Sequence, residues 1–258
     1  MEETLTKVAF PTDEHYPFQD ERARTVALQI VRDFKPDIRI AGSDGLDFYE
    51  ISRFDKDPVR VKAHGIQDEI DLWTKGQKEW QSAYSESVVF FLRSNHDDRL
   101  QKYLMRHPEM YDLRALQLPA LLELNALGIG WEQDKGENAN YELVVENRLL
   151  ITHGEIVRKY SAYTAKAQME KENYQLSVMT GHTHRGGSYF TQSRGELIQA
   201  HECFCLCNLN PGYVRNPNWQ QGLALATVTH LTLTVELIPF FQKGNKTFAQ
   251  WRDKEYSS

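Results

Sequence analysis

Long hydrophobic runs are missing from this 258-residue chain: none approaches the ~18 apolar residues a membrane-spanning helix needs. The opening MEETLTKVAF has no basic start followed by an apolar core and a small-residue cleavage site, so the expected location is the cytoplasm, with no membrane partner. Cysteine is scarce. The three residues sit together in CFCLC (Cys203, Cys205, Cys207), without a Cys-x-x-Cys pair or a second cluster, which argues against a thiolate metal site. Their period-two spacing predicts one face of an extended strand and buried, reduced thiols. Internal repeats, low-complexity tracts and Pro/Gly/Ser linkers are also absent, so one domain over 1–258 is expected. An excess of positive charge is lacking too. A net charge of -6 is unlike a surface that grips long nucleic acid everywhere, and leaves only a local patch, Arg53, Lys56, Arg60 and Lys62, with Arg99 and Arg185 each just after a motif described below.

What is present is a recurring pattern. Five short apolar runs, KVAFPTDEH, DIRIAGSDGLD, SVVFFLRSNHD, RLLITHGE and LSVMTGHTH, each end in metal-ligand residue types. Helical patterns separate several of them. ERARTVALQIVRDF places Val26, Ala27, Ile30, Val31 and Phe34 on one stripe, LPALLELNALG ends in a glycine stop, and EIVRKYSAYTAKAQMEKE fills the gap before the last run. Strand alternating with helix predicts an α/β architecture, whose ligands bind beyond the carboxyl ends of the strands. That crevice gathers Asp13, His15, Asp44, Asp47, Asn95, His96, His153, His182 and His184.

Residues i and i+2 of extended backbone point the same way, so Asp13 with His15, and His182 with His184, can each aim two groups at one pocket. Carboxylate, imidazole and amide oxygen suit Mn, Fe, Zn or Ni, and seven or eight donors exceed one tetrahedral site. Two ions sharing a carboxylate use them all. His64, His107, His201 and His230 lack such a setting and are expected to be surface or structural histidines.

The ordered series DEH (13–15), SDGLD (43–47), SNHD (94–97), HG (153–154) and GHTH (181–184) resembles the signature of the calcineurin-like metallophosphoesterase superfamily. The resemblance covers about the first three-quarters of the chain and implies a four-layer α/β/β/α sandwich of two mixed β-sheets. It implies one divalent metal on Asp13, His15, Asp44 and His184 and a second on Asp44, Asn95, His153 and His182, with Mn foremost and Fe, Zn or Ni as alternatives. Asp44 then bridges, with a water or hydroxide completing the bridge. In the family the counterpart of His96 stabilises the phosphate or acts as general acid, and Asp47 resembles the carboxylate that orients it. A carboxylate there would raise the His96 pKa. Ser43 and Ser94 stand where the family uses glycine, a residue placed where φ is positive or a ligand comes close.

GLDFYEISRFDKDP is further similar to phage and bacterial members described as DNA-repair-type nucleases, and in a phage-encoded chain the cytoplasm would be the host's. The implied partner is a phosphate-ester substrate, DNA first, with Arg53, Arg99 and Arg185 contacting flanking phosphates. A small-molecule phosphoesterase is the alternative, and a non-catalytic metal-binding interaction protein ranks below it. The tail from Glu196, rich in β-branched residues, is expected to complete the second sheet. Tyr213 and Trp219 lie in the loop between its strands.

Overall fold

The computed structural model describes residues 5–59, 65–132, 140–210 and 216–258; Arg60, Lys62, His64 and Tyr213 lie outside them. Strands β1 (Thr6–Phe10), β2 (Ile38–Gly42), β3 (Val88–Leu92) and β4 (Ile129–Gly130) run parallel. A second group comprises β5 (Glu142–Val145), β6 (Leu149–Thr152), β7 (Ser177–Thr180), β8 (Gly186–Ser193) and β9 (Glu196–Cys203), in the order β5-β6-β7-β9-β8, parallel in the middle and antiparallel at both edges. The hairpin of β10 (Gly222–Val228) and β11 (Leu233–Pro239) pairs antiparallel with β1, giving the first sheet the order β11-β10-β1-β2-β3-β4. A small meander, β12 (Phe241–Lys243), β13 (Lys246–Trp251) and β14 (Lys254–Ser257), follows.

Apolar burial stacks these parts in layers. Val8, Phe10, Ile40 and Leu92 of the first sheet meet Leu149, Ile151 and Met179 of the second in one core. On the outer face of the first sheet lie α1 (Glu21–Phe34), α2 (Ile66–Ala83) and α3 (Asp97–Met105), packed through Ala27, Ile30, Trp73, Trp80 and Leu100. The short α4 (Pro108–Tyr111) and α5 (Leu118–Leu121) follow α3, and α6 (Tyr163–Lys171) covers the outer face of the second sheet through Ala165 and Met169. The result is the four-layer α/β/β/α sandwich of two mixed sheets. No helix of the described residues is long and apolar enough to cross a membrane.

Several expectations change. The hairpin β10–β11 extends the first sheet rather than the second, because β10, buried along nearly its whole length, pairs antiparallel with the edge of β1. The helix expected over LPALLELNALG is only one turn, since Glu123 takes a left-handed φ of 50°. The one expected from Glu155 starts at Tyr163, after a left-handed Ala162 (φ 69°). The longest helix, α2, is not among the expected ones, although Ile70, Trp73, Gln77 and Trp80 form a buried stripe. Gly76 interrupts that pattern for a packing reason: a Cβ there would fall 2.0 Å from the Tyr16 hydroxyl. The cysteines do not all share a strand face either. Cys203 ends β9 in the intersheet core, and after a left-handed Phe204 (φ 68°) Cys205 and Cys207 lie together beside His184, whose Nδ1 is 3.8 Å from Cys207 Sγ. All three are free and buried, and burial raises the Cys203 and Cys207 pKa values, keeping them thiols.

Helix α1 begins at Asp20, whose carboxylate accepts from the amides of Arg22 (2.9 Å) and Ala23 (3.3 Å). Burial alone would raise its pKa; the Arg22 guanidinium and these amides outweigh burial and lower it. The folded pKa lies below the unfolded one, so the stabilisation is complete above the ordinary carboxylate value of about 3.9 and disappears as pH falls through the folded value. Asp20→Ala is therefore expected to cost about 1 kcal/mol at neutral pH. Urea midpoints measured against pH should show the gap from the parent chain narrowing only below about pH 4.

Candidate metal centre

The carboxyl ends of β1, β2 and β3 and those of β6 and β7 open on the same rim. Each emits a loop carrying part of one buried cluster. His184 Nε2 lies 3.0 Å from Asp13 Oδ1 and 3.0 Å from His15 Nε2, and His15 Nε2 lies 3.6 Å from Asp44 Oδ2. On the other side of Asp44, His153 Nε2 is 3.2 Å from the same Oδ2, 3.0 Å from Asn95 Oδ1 and 3.2 Å from His182 Nδ1. All seven expected ligand residues thus converge: Asp13, His15 and His184 form one donor group, Asp44, His153 and His182 another that Asn95 joins, and Asp44 Oδ2 reaches the first group through His15.

These spacings suit a cation. Donors about 2.1 Å from one ion stand about 3.0–3.4 Å apart when the angle at the ion is between square and tetrahedral. The outward nitrogens are committed elsewhere: His15 Nδ1 faces Asp47 Oδ2 at 3.2 Å and His153 Nδ1 meets Ser43 Oγ at 2.9 Å. Donation from each Nδ1–H leaves the Nε2 lone pair facing inward, the tautomer that ligates metal. Burial opposes protonation of His15 and His153, but contacts with Asp13 and Asp47 at His15, and with Asp44 at His153, outweigh it and raise both pKa values. Asp13 and Asp44, where burial alone would raise the pKa, are held far below the carboxylate range by His184 and His153. Loading such a site releases protons.

The backbone achieves this convergence differently from the expected strand alternation. Asp13, His15, Asp44, His182 and His184, five of the seven expected ligand residues, have φ between 51° and 72°. They lie beyond their strands in left-handed conformations that cost of order 1–3 kcal/mol each and persist only when the surroundings impose them. Here the surroundings are hydrogen bonds between loops: Asp13 N to Ser43 O (2.9 Å), His15 N to Asp44 O (2.9 Å) and His182 N to Asp13 Oδ2 (3.1 Å). Gly181 is required by space, because a Cβ would stand 2.5 Å from Asp13 Oδ2. His182 and His184, though two apart, serve different groups.

The two serines in glycine positions have contacts of their own. Ser43 accepts a left-handed φ of 53°, and its hydroxyl joins His153 Nδ1 to Thr12 Oγ1 (2.8 Å). Ser94 meets Asp97 Oδ2 through both amide and hydroxyl (2.8 Å each), tying down the start of α3. Ser43→Gly relieves the backbone but removes the partner of His153. Metal affinity is expected to fall about 10–100-fold with thermal stability unchanged or higher, as titration calorimetry and melting would show.

His96 stands beside the shared carboxylate, Nε2 to Asp44 Oδ2 at 3.7 Å. Its Nδ1 meets the Asp47 carbonyl (3.0 Å) and its Nε2 meets Arg99 Nη2 (2.7 Å). Since guanidinium only donates, Nε2 accepts and Nδ1–H donates, so the ring is neutral. Burial, with His15 and Arg99 nearby, lowers its pKa to about 3 despite Asp44 and Asp47. The expected rise does not occur. The Asp47 carboxylate serves His15 and Arg99 Nη1 (2.9 Å) instead and is 3.7 Å from His96. Its pKa is about 2, as His15 and His96 outweigh burial.

The expected phosphate contacts divide. Arg185 is buried, and it donates to the carbonyls of Lys159 (2.9 Å) and Arg158 (2.7 Å) and approaches Glu202 (3.4 Å). It clamps the loop before α6, and its guanidinium is engaged by these partners. Arg99 is committed to His96 and Asp47. Arg53 is exposed, stacked over Phe54. Trp219 packs edge-on against His184 at 4.2 Å, and His201 is a structural histidine between Ser188 and Gln199. Glu202, which accepts from Thr183 (3.1 Å) and Thr164 N (2.9 Å), also braces the GHTH loop. No spacing in the sequence marks it.

No family model matches the chain. It is 24% identical over 253 residues, 90% of this chain and 93% of its relative, to the Gene 54 protein of Mycobacterium phage L5. Among solved structures, a single-mutant Vps29 of Entamoeba histolytica aligns with TM-score 0.44 at 10% identity, over 98% of this chain and 97% of its own. Vps29 of Chaetomium thermophilum aligns with TM-score 0.44 at 9% identity, over 98% and 95%.

Proposed function

We propose that the chain is a metal-dependent phosphoester hydrolase, acting as a phosphodiesterase or nuclease on DNA. The observation that carries this reading is the pair of donor groups meeting at Asp44 Oδ2. Asp13, His15, Asp44 and His184 would hold one divalent ion; Asp44, Asn95, His153 and His182 would hold the other. Mn is foremost, with Fe, Zn or Ni as alternatives, because both sets combine imidazole with hard oxygen and contain no thiolate. Two such ions lower the pKa of water and neutralise the attacking and leaving oxygens of an in-line displacement at phosphorus.

The protein's own residues supply orientation. Asp47 and Ser43 fix the tautomers of His15 and His153. His96 Nε2 accepts from Arg99 Nη2 and so holds the guanidinium, the group able to donate to developing phosphoryl charge, at the edge of the shared carboxylate. Arg99 keeps His96 Nε2 hydrogen-bonded until a substrate oxygen competes for the guanidinium. DNA is favoured over a small ester by the cationic cleft beside Asn95, lined by Arg53, Arg99, Lys102 and Arg106. The test is hydrolysis of bis-p-nitrophenyl phosphate and of labelled single- and double-stranded DNA by metal-stripped protein reloaded with Mn. Turnover of both ester types is expected. No turnover with any divalent metal overturns the hydrolase reading, and cleavage confined to small esters overturns the DNA assignment.

A further inference from the structure

The cleft next to Asn95 encloses about 570 Å³ and combines two kinds of surface. One wall is cationic: Arg53, Lys102 and Arg106, with Arg99 at the inner end, and no carboxylate among its lining residues. Mutual repulsion is felt nearby, since burial together with Arg99 and Arg106 lowers the pKa of Lys56. The other surface is apolar and open to solvent: Phe54 is 60% exposed and Met105 53% exposed. Arg53 enters no ion pair among the described residues and lies over the Phe54 ring, 5.3 Å from its centroid. Exposed aromatic area beside guanidinium groups costs hydration unless something covers it.

Position gives the cleft its meaning. Asn95, which the proposed function makes a metal ligand, lines it, so the cleft adjoins the metal centre and has room for the nucleotide next to a phosphate bound there. An aromatic face flanked by cations accepts any base by stacking and the adjoining phosphates by charge, which is the chemistry of unpaired strands. Bases in duplex are already stacked on each other and cannot cover Phe54.

We infer that this cleft is the subsite for the unpaired nucleotide adjoining the scissile phosphate, with the base on Phe54 and Met105 and the flanking phosphates on Arg53, Lys102 and Arg106. The inference rests on the proposed DNA hydrolase reading and names its substrate as single-stranded DNA.

Binding tests it separately from turnover. The metal-loaded full chain is titrated into a fluorescein-labelled, phosphorothioate-linked oligothymidylate of about ten nucleotides, into the same strand without bases, and into duplex. Anisotropy should show the base-bearing single strand bound tightest. Phe54→Ala should weaken that complex about tenfold and leave the strand without bases unaffected. Arg53→Ala combined with Arg106→Ala should weaken both single strands and flatten the salt dependence, by about 0.7 in log–log slope for each phosphate that is no longer neutralised. Equal binding of strands with and without bases, of single strand and duplex, or of DNA by Phe54→Ala and the parent chain would overturn the inference. Bis-p-nitrophenyl phosphate turnover on the same preparations separates the two readings. Turnover without base-dependent binding removes only the subsite, whereas base-dependent binding without turnover of any ester removes the hydrolase.

Discussion

Asp44→Asn is expected to lose both metal ions and to lower phosphodiester hydrolysis by about 10³-fold or more. Only Asp44 belongs to both proposed ligand sets: its Oδ2 lies 3.6 Å from His15 Nε2 and 3.2 Å from His153 Nε2. An amide in its place removes one negative charge from between two cations and presents an NH₂ or a neutral oxygen to them. Asn95→Ala provides the contrast, since that side chain meets only the His153 group (3.0 Å) and its loss should spare the ion on Asp13, His15 and His184. Elemental analysis after gel filtration reads both outcomes. Retention of two ions by Asp44→Asn would mean that the donor groups do not share a bridge.

Which parts of this arrangement can be read from the sequence follows from which contacts are local. Each expected ligand lies within a few residues of an apolar strand end, so residue type and strand end place all seven in the candidate crevice together with Asp47 and His96, and the resemblance alone separates those two from the ligand set. The α/β class follows from the same alternation of strand and helix; the four layers are implied only by the resemblance of the motif series. Local patterning is silent where a distant partner decides. Glu202 is a buried carboxylate on β9 whose role depends on Thr183, nineteen residues earlier. Arg185 follows GHTH as though aimed at the site, but two carbonyls of a loop more than twenty residues earlier turn it away. Ser43 replaces a glycine at a left-handed position, and only the proximity of His153, 110 residues on, reveals what its hydroxyl does. Helix α2 escapes for a related reason: the glycine that weakens its pattern is there for Tyr16, on a loop sixty residues away.

His96→Asn should keep both metals and lower turnover by about 10²–10³-fold, the scale of misplacing one preorganised donor at a developing charge, here the Arg99 guanidinium that the imidazole holds. The reason differs from general-acid catalysis. His96 Nε2 accepts from Arg99 Nη2 at 2.7 Å, and burial holds the imidazole pKa at about 3, so the ring is neutral throughout the neutral range. An acid with a raised pKa would cost activity as pH rises through that pKa; a ring already neutral leaves no such limb. The pH profile of His96→Asn should therefore keep the shape of the parent between about pH 5 and 9 at reduced height. His96 and Arg99 also act as one unit, since the guanidinium reaches the site through the imidazole. Arg99→Met alone should cost most of what His96→Asn costs, and the double variant little more than either, a non-additivity that a double-mutant cycle on kcat measures directly. Full additivity would place the two groups in separate roles, and a displaced alkaline limb in His96→Asn would return the imidazole to proton transfer.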